Sequence, residues 1–346
     1  MFRVKYILSL AVIILIIISL PLTGCSKLAN KKEVKEPQNI LRGDKSEEYY
    51  MVTFLSGIEY WKGCIKGFED AGKLYGVKTI FTGGLQYDVN QEVTALEQII
   101  AKRPAGIAVT CMNPDAFKTP INEAIANGIP VVTFDADSPN STRYSFLGTV
   151  NEYAGAVAAK ALSEQIGPGG GEVVIITLPA QQNHMERVEG FKNALKTKYK
   201  NLKLVQIGNG ISEEIEAAKV LSGFIQAHPQ IKGVFCTDAT SGVGAATAVK
   251  EANKVGVIKI VSFDTDKGTL DAIKSNIISA SIAQGTYIMG YQSMNFLFQL
   301  KHNLINPVEN WKEKGINPLP DFVDTGVSIV TKKNVDSYYQ NNSKGN

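Results

Sequence analysis

Two adjacent aromatic residues, Tyr60 and Trp61, lie where a predicted strand gives way to a predicted helix. The apolar run YYMVTFL, residues 49–55, predicts the strand, and apolar residues at helical spacing follow Trp61. In a parallel α/β sheet, ligands bind at this edge, outside the carboxyl ends of the strands. We therefore expect both rings to be exposed and to contact a ligand with a flat face. Packing at the helix start is the alternative.

A glycine-rich segment approximates a cofactor motif. SGVGAAT, residues 241–247, resembles G-x-G-x-x-G, and Asp264 lies 20 residues after Gly244, as in a dinucleotide site. These glycines, however, begin five or more residues after the strand ends, and Thr247 replaces the third small residue. This spacing predicts the interior of a helix rather than a phosphate loop, so we expect no cofactor.

The histidines and cysteines indicate neither catalysis nor metal binding, since no Cys-x-x-Cys pair or Cys/His cluster occurs. These residues are His184, His228, His302, Cys25, Cys64, Cys111 and Cys236. We predict that Cys64, Cys111 and Cys236 are buried free thiols. His184 either contacts the ligand or lies at the surface. We expect no metal site, and we do not expect the protein to be an enzyme.

Strand-like and helical segments alternate along the chain after Glu48. The predicted strands are Tyr50–Leu55, Lys78–Thr82, Gly106–Thr110, Pro130–Phe134, Glu172–Leu178, Lys203–Ile207, Gly233–Cys236, Lys259–Phe263 and Ile278–Ala283. Helical stretches of 10 to 18 residues separate most of them. This alternation is typical of parallel sheets covered by helices on both faces. The segment near residue 150 shows no central strand and predicts a crossing between two such sheets.

The first 25 residues have the features of an export signal. Arg3 and Lys5 precede an apolar run of 14 residues at 7–20. As a helix this run would span about 21 Å, short of the roughly 30 Å bilayer core, which favours a signal peptide, residues 1–24, over a membrane span. The signal ends in LTGC, which resembles the bacterial lipobox. We expect Cys25 to carry lipid and to anchor the protein at the extracytoplasmic face of the cell membrane.

Residues 25–48 predict a flexible tether, because charged residues are frequent there and large apolar residues are rare. The whole chain has 36 basic and 33 acidic residues, and loss of the signal peptide removes two basic ones. The near-neutral remainder argues against a nucleic-acid partner. Of the 346 residues, 322 would remain, which by size suggests two domains.

Several motifs, taken together in their order and spacing, are similar to those of one family. They are GIPVVTFDAD (128–137), GTVNEYAG (148–155), ERVEGF (186–191), AHPQIKGVFCTDATSGVGAATAVKEAN (227–253), IVSFDTD (260–266) and SASIAQGTYIMG (279–290). From about residue 50 to residue 330 the chain resembles the ribose-type periplasmic sugar-binding proteins, the receptors of bacterial sugar ABC transporters.

The resemblance implies an α/β fold of two Rossmann-like lobes, each a parallel sheet flanked by helices, joined by a three-strand hinge. The ligand would bind in the cleft between the lobes. The crossings would fall near Thr149, Gln284 and Pro320. The first lobe would comprise residues 49–149 and 285–319, and the second residues 150–284 and 320–340.

The resemblance also implies the ligand-binding residues. They are Tyr60, Trp61, Thr110, Asp135, Asp137, Arg187, Asp238, Asp264 and Gln284. Three positions depart from the family pattern: Ala136 stands where Arg is typical, and Thr110 and Asp238 stand where Asn is frequent. These departures leave the identity of the sugar open. For Asp135 and Asp264, capping of a following helix is an additional or alternative role.

A sugar suits these residue types on physical grounds. An aromatic ring fits the weakly apolar C–H face of a sugar, and polar side chains fit its rim of hydroxyl groups, each both donor and acceptor. Charged partners form the stronger hydrogen bonds in a desolvated cleft.

Three function classes follow from the resemblance and from the α/β fold that it implies. The first is a receptor that delivers a pentose or hexose to an ABC transporter permease, and we favour it. The second is a sugar sensor that docks on a membrane histidine kinase or chemoreceptor. The third, an enzyme built on the same frame, lacks a recognisable set of catalytic residues. The expected partners are therefore a monosaccharide, a permease or sensor, and the membrane through the lipid anchor.

Overall fold

The computed structural model describes residues 41–343 of the 346-residue chain. The predicted signal peptide, the predicted lipidation site Cys25 and residues 26–40 of the predicted tether lie outside the described residues. Within the described part, no helix is long and apolar enough to cross a membrane.

Residues 41–343 contain twelve strands and ten helices. The strands are β1 (Glu48–Thr53), β2 (Lys78–Gly83), β3 (Gly106–Val109), β4 (Val131–Phe134), β5 (Phe146–Gly148), β6 (Gly171–Thr177), β7 (Leu202–Asn209), β8 (Ile231–Cys236), β9 (Lys259–Phe263), β10 (Ala280–Gln284), β11 (Phe322–Asp324) and β12 (Val327–Val330). The helices are α1 (Trp61–Tyr75), α2 (Val89–Ala101), α3 (Pro114–Ala126), α4 (Asn151–Ile166), α5 (Gln182–Thr197), α6 (Glu214–Ala227), α7 (Ala239–Glu251), α8 (Lys267–Lys274), α9 (Thr286–Lys301) and α10 (Val335–Ser343).

The strands form two six-stranded sheets. The first sheet has the order β11-β5-β4-β3-β1-β2, and the second has the order β12-β10-β9-β8-β6-β7. Every pair of neighbours is parallel except β10 with β12. The predicted α/β class, with two parallel sheets flanked by helices, is confirmed, and all nine predicted strands are present.

Each sheet is covered by apolar side chains on both faces, as continuous apolar strands require. Along β1, Met51 packs in one cluster with Phe68 of α1 and Phe298 of α9. The next residue, Val52, points to the opposite face and packs in a cluster with Leu96 of α2. Two further clusters cover the faces of the second sheet. The cysteines predicted as buried free thiols are indeed free and buried.

Three crossings join the two lobes, at residues 149–150, 285 and 325–326. They are bonded to one another: the Thr149 hydroxyl donates to Gln284 Oε1 over 2.8 Å, and the Gly285 N–H donates to the Gly326 carbonyl over 3.2 Å. A Cβ atom at Gly285 would lie 2.1 Å from the Thr325 carbonyl oxygen. Glycine at this position therefore allows the second and third crossings to approach each other.

Two predictions near the crossings are wrong. The segment near residue 150 does contain a short strand, β5, which pairs with β4. The third crossing lies at residues 325–326 rather than near Pro320, because β11 pairs with β5 in the register Phe322 with Phe146. Residues 322–324 thus belong to the first lobe instead of the second.

The fold also begins earlier than the predicted tether end at residue 48. The Gly43 N–H donates to the Tyr75 carbonyl over 2.9 Å, and the Lys78 N–H donates to the Glu47 carbonyl over 3.0 Å. Glu48 is the first residue of β1. The charged composition of this segment predicted a tether, but one of its charged residues contacts the folded part. Glu47 Oε2 lies 2.9 Å from His302 Nε2.

Candidate functional site

A cavity of about 670 Å³ lies between the two lobes, at the carboxyl ends of the strands of both sheets. Its volume falls in the range of about 300–1,000 Å³ that is usual for small-molecule sites. Seven of the nine predicted ligand residues line this central cavity: Tyr60, Trp61, Asp135, Arg187, Asp238, Asp264 and Gln284.

Asp135 and Asp264 occupy equivalent places in the two lobes. Each follows the last residue of a strand, β4 or β9, and each has a left-handed backbone, with φ of +63° and +60°. Aspartate tolerates this conformation better than most residues, and such strain concentrates at functional sites. Neither carboxylate is the cap of a helix, because the cap position of α8 is held by Asp266 and Asp135 is followed by a loop and β5. The capping alternative for these two residues is therefore wrong.

Burial shifts the pKa of both carboxyl groups in the same direction. It raises the pKa of Asp135 above its ordinary value, and it raises the pKa of Asp264 to about 7, against the attraction of the Arg187 charge. Both carboxyl groups consequently gain from any ligand that brings hydrogen-bond donors into the cavity.

Arg187 supplies the positive charge at the cavity. Its Nε donates to Asn151 Oδ1 over 2.9 Å, its Nη1 to the Thr237 carbonyl over 2.9 Å, and its Nη2 to Gln284 Oε1 over 3.1 Å. The guanidinium lies 3.9 Å above the ring of Phe263. These contacts fix the guanidinium, and two of its five N–H groups are left for a ligand.

The two aromatic residues at the start of α1 have different positions. The Tyr60 hydroxyl donates to Asp135 Oδ1 over 2.5 Å, so this ring lies beside the carboxylate. Trp61 is only 1% exposed, and its Nε1 donates to the Phe54 carbonyl over 2.9 Å. The predicted exposure of Trp61 is wrong: its ring forms the wall behind the cavity.

Asp238 lines the cavity and also caps a helix, a role that the sequence analysis did not predict for it. Its Oδ1 accepts the Ser241 N–H over 2.7 Å, and its Oδ2 accepts the Ser241 hydroxyl over 2.8 Å, so it caps α7. The neighbouring His184 is buried, and its Nδ1 lies 3.0 Å from the Thr237 hydroxyl. Burial lowers the pKa of His184 well below its ordinary value. His184 therefore lines the cavity as a neutral group rather than lying at the surface.

Two predicted ligand residues do not line the central cavity. Asp137 is held by Arg143, whose Nε and Nη2 donate to its two carboxylate oxygens over 2.7 and 2.6 Å, and Arg143 also pairs with Asp321. Thr110 is fully buried, and its hydroxyl lies 3.5 Å from Asp135 Oδ2. Asp137 thus stabilises the first lobe, and Thr110 lies behind Asp135.

Several cavity residues were not predicted, and they share a position just after a strand or at the start of the next helix. They are Phe54, Tyr87, Gln181, Asn183, Ser212, Glu213 and Asp266. Their location after β1, β2, β6, β7 and β9 is the sequence feature from which their place at the cavity could have been predicted. With them, the cavity holds more carboxylates than positive charges and so favours a ligand rich in donors.

The glycine-rich segment 241–247 lies inside α7, as its spacing predicted. In the part of the chain that the structure describes, no group of three or more His, Cys, Asp or Glu residues could hold a metal ion.

Comparison with known proteins places this geometry among solute-binding proteins. A family model described as a periplasmic binding protein domain matches residues 49–303. The structure of a sugar ABC transporter sugar-binding protein from Bacillus halodurans is 45% identical, with a TM-score of 0.82 over 85% of this chain and all of that one. The structure of AraP, an arabinose binding protein from Geobacillus stearothermophilus, is also 45% identical, with a TM-score of 0.79 over 85% of this chain and 99% of that one. The xylose/arabinose-binding protein XylF of Sulfolobus acidocaldarius is 26% identical over 79% of this chain and 68% of its own length.

Proposed function

Because the chain belongs to the ribose-type periplasmic sugar-binding protein family, we propose that it captures a monosaccharide between its lobes and releases it unchanged. The observation that carries the proposal is the central cavity, which is lined by carboxylates of both lobes, by Arg187 and by the ring of Tyr60. Sugar hydroxyl groups donate to the carboxylates and accept from Arg187, and the ring of Tyr60 covers an apolar face of the sugar.

A pentose is the first ligand to test, with hexoses second. Asp135, Asp238 and Asp264 offer acceptors on both sides of the cavity. A pentose carries hydroxyl donors around its whole rim, so one ring satisfies carboxylates of both lobes at once. The similarity to an arabinose binding protein at 45% identity supports this choice.

Capture is coupled to closure of the lobes. The three crossings absorb the backbone rotation of such a hinge. Gln284 links the hinge to the site, since its Oε1 accepts from Thr149 at the first crossing and its Nε2 donates to Asp264 Oδ1 over 2.9 Å. A sugar that contacts both lobes binds the closed state more tightly than the open state, and it therefore shifts the equilibrium towards closure.

The closed protein delivers its sugar to an ABC transporter permease while a lipid on Cys25 keeps it at the extracytoplasmic face of the membrane. The LTGC sequence at the end of the signal peptide supports the anchor. Two or more acyl chains give stable anchoring, whereas one alone is marginal. Cys25→Ala is expected to move the mature protein out of the detergent phase or to leave an unprocessed precursor. Unchanged partitioning and processing would contradict the anchor.

A thermal-shift screen of pentoses, hexoses and polyols tests the binding function. A cognate sugar at 100 times its Kd stabilises the folded state by about 2.7 kcal/mol, or about 5 °C in Tm for a protein of this size. The NMR spectrum of the recovered sugar is expected to be unchanged. No shift with any sugar at 10 mM (about 10,000 times a micromolar Kd), or conversion of the sugar, would contradict the proposal.

Uptake measurements separate transport from sensing. Cells that lack this protein are expected to lose uptake of the radiolabelled cognate sugar at low concentration and to recover it with the wild-type gene. Normal uptake together with a lost transcriptional response to the sugar would instead assign the protein to a sensor on a membrane kinase or chemoreceptor.

A further inference from the structure

A hydrogen bond between Glu59 and Lys267 joins the lobes away from the three crossings. A second such bond, from Gln181 Nε2 to the Tyr87 hydroxyl, lies at the central cavity. Glu59, in the loop between β1 and α1, extends its Oε2 to the backbone N–H of Lys267 over 2.9 Å. Lys267 is the first residue of α8 in the second lobe. Glu59 therefore crosses the cleft and meets the N-terminus of a helix in the opposite lobe.

Helix α8 has no side-chain cap of its own. Asp266 holds the cap position with φ −60° and ψ 151°, but its carboxylate makes no capping bond. The side chains of Asp88, Asn113 and Asp238 cap α2, α3 and α7, whereas α1, α4, α5, α6 and α9 lack a side-chain cap, as α8 does. The first N–H groups of a helix need acceptors and favour negative charge, and for α8 a residue of the other lobe supplies both.

The missing local cap leaves the Asp266 side chain available elsewhere, since Asp266 lines the central cavity. Glu59 is itself held by Lys62, whose Nζ lies 2.9 Å from Glu59 Oε1. Glu59 thus accepts the N–H at the start of α8, and Asp266 lines the cavity in which the ligand would bind.

We infer that Glu59 is a positioning residue that caps α8 across the cleft and thereby stabilises the closed state, an interaction we call the interlobe cap. Because Glu59 and Lys267 belong to different lobes, opening at the three crossings would break this bond. The bond therefore shifts the open–closed equilibrium towards the closed form, with or without sugar, and slows escape of the bound sugar. The predicted effect on sugar release rests on the proposed function. The interlobe cap itself does not, because it joins two residues of the chain.

The donor of this bond can be deleted without removing the helix. Lys267→Pro lacks the N–H, and proline is favoured at the first position of a helix. The extended backbone of Asp266 already suits a residue before proline. Lys267→Ala is the matched control, because it removes the side-chain pair with Asp271 and keeps the N–H. Glu59→Ala removes the acceptor.

Stopped-flow fluorescence with L-arabinose, or with the sugar that the screen identifies, measures the dissociation rate of each variant. Glu59→Ala and Lys267→Pro are each expected to release the sugar about three- to tenfold faster, the lower part of the range for a capping bond because Glu59 is partly exposed. The double variant is expected to be no faster than the faster single one, and Lys267→Ala to stay within about twofold of wild type. Multiplied effects in the double variant, or rates of both single variants equal to wild type, would overturn the inference.

A second readout needs no sugar. Amide hydrogen exchange at Lys267 in the sugar-free protein is expected to be about threefold or more faster in Glu59→Ala than in wild type, since the cap occludes this N–H. Equal exchange rates would overturn the interlobe cap even if sugar binding succeeds. If no sugar binds while the exchange difference is present, the proposed function fails and the interlobe cap stands.

Discussion

Replacing Asp264 with asparagine is expected to stabilise the sugar-free protein and to weaken sugar binding at the same time. Asparagine removes the charge and retains the geometry: it tolerates the left-handed backbone at φ +60°, and its side-chain oxygen accepts the bond from Gln284 Nε2. The backbone carbonyl still accepts from the Ser281 hydroxyl, now 2.6 Å away. The charge is therefore the main difference between the two proteins.

The magnitude follows from the pKa of Asp264, which burial raises from 3.8 to about 7. Because the folded state binds this proton more tightly than the unfolded state, the contribution of Asp264 to stability is fully present below about pH 4 and is lost as the pH rises through about 7. A pKa difference of about three between the folded and unfolded states corresponds to at most roughly 4 kcal/mol of lost stability at high pH. Partial exposure to solvent reduces this, so we expect the variant to gain about 1–2 kcal/mol at pH 8, or about 2–4 °C in Tm.

Scanning calorimetry from pH 4 to pH 8 without sugar measures the gain, which is expected to vanish at pH 4. Titration calorimetry with L-arabinose measures the loss of affinity, expected at about 30-fold or more because a charged acceptor is removed from the site. Asp115→Asn, at an exposed position of α3, is the control. A variant that is less stable than wild type at pH 8, or that binds within about threefold of wild type, would refute the reasoning.

Three further substitutions separate binding from scaffolding. Trp61→Ala is expected to lower the free energy of unfolding in urea by about 3–5 kcal/mol, because the ring is buried; intact stability with lost binding would show that Trp61 is instead a ligand contact. Tyr60→Phe removes the donor to Asp135 and is expected to weaken sugar binding in calorimetry about five- to tenfold, with unfolding changed by less than about 1 kcal/mol; an unchanged Kd would contradict this. Arg143→Met removes the only cation paired with Asp137 among the described residues and leaves the donors Thr133 and Ser138. It is expected to lower the free energy of unfolding in urea by about 3–5 kcal/mol, while the Kd stays within about threefold; a selective loss of affinity would return Asp137 to the ligand site.

The strands that the sequence revealed are those with continuous buried apolar runs. In β3, for example, all four residues are buried. The strands β5, β11 and β12 were missed because they have only three or four residues and are partly exposed. Such short strands form because their neighbours are already in place, so their cause lies in tertiary pairing rather than in the local sequence. The third crossing was misplaced for the same reason.

The site was predicted as a set of residues but not as a geometry. Tyr60 and Trp61 are neighbours in sequence, yet the turn of α1 directs one towards Asp135 and the other into the core. Asp135 and Asp137 are also close in sequence, but the partner that holds Asp137 is Arg143, six residues further on. Which of two similar residues faces the ligand thus depends on contacts that spacing alone does not encode.

The central claim is that the cavity between the lobes binds one monosaccharide reversibly. Titration calorimetry of the wild-type mature protein with L-arabinose, D-xylose, D-ribose, D-glucose and D-galactose tests it most directly. We predict a stoichiometry of one and a Kd of about 1 μM or tighter, or about −8 kcal/mol, for at least one of these sugars. Absence of binding to every one of them at millimolar concentration would contradict the claim.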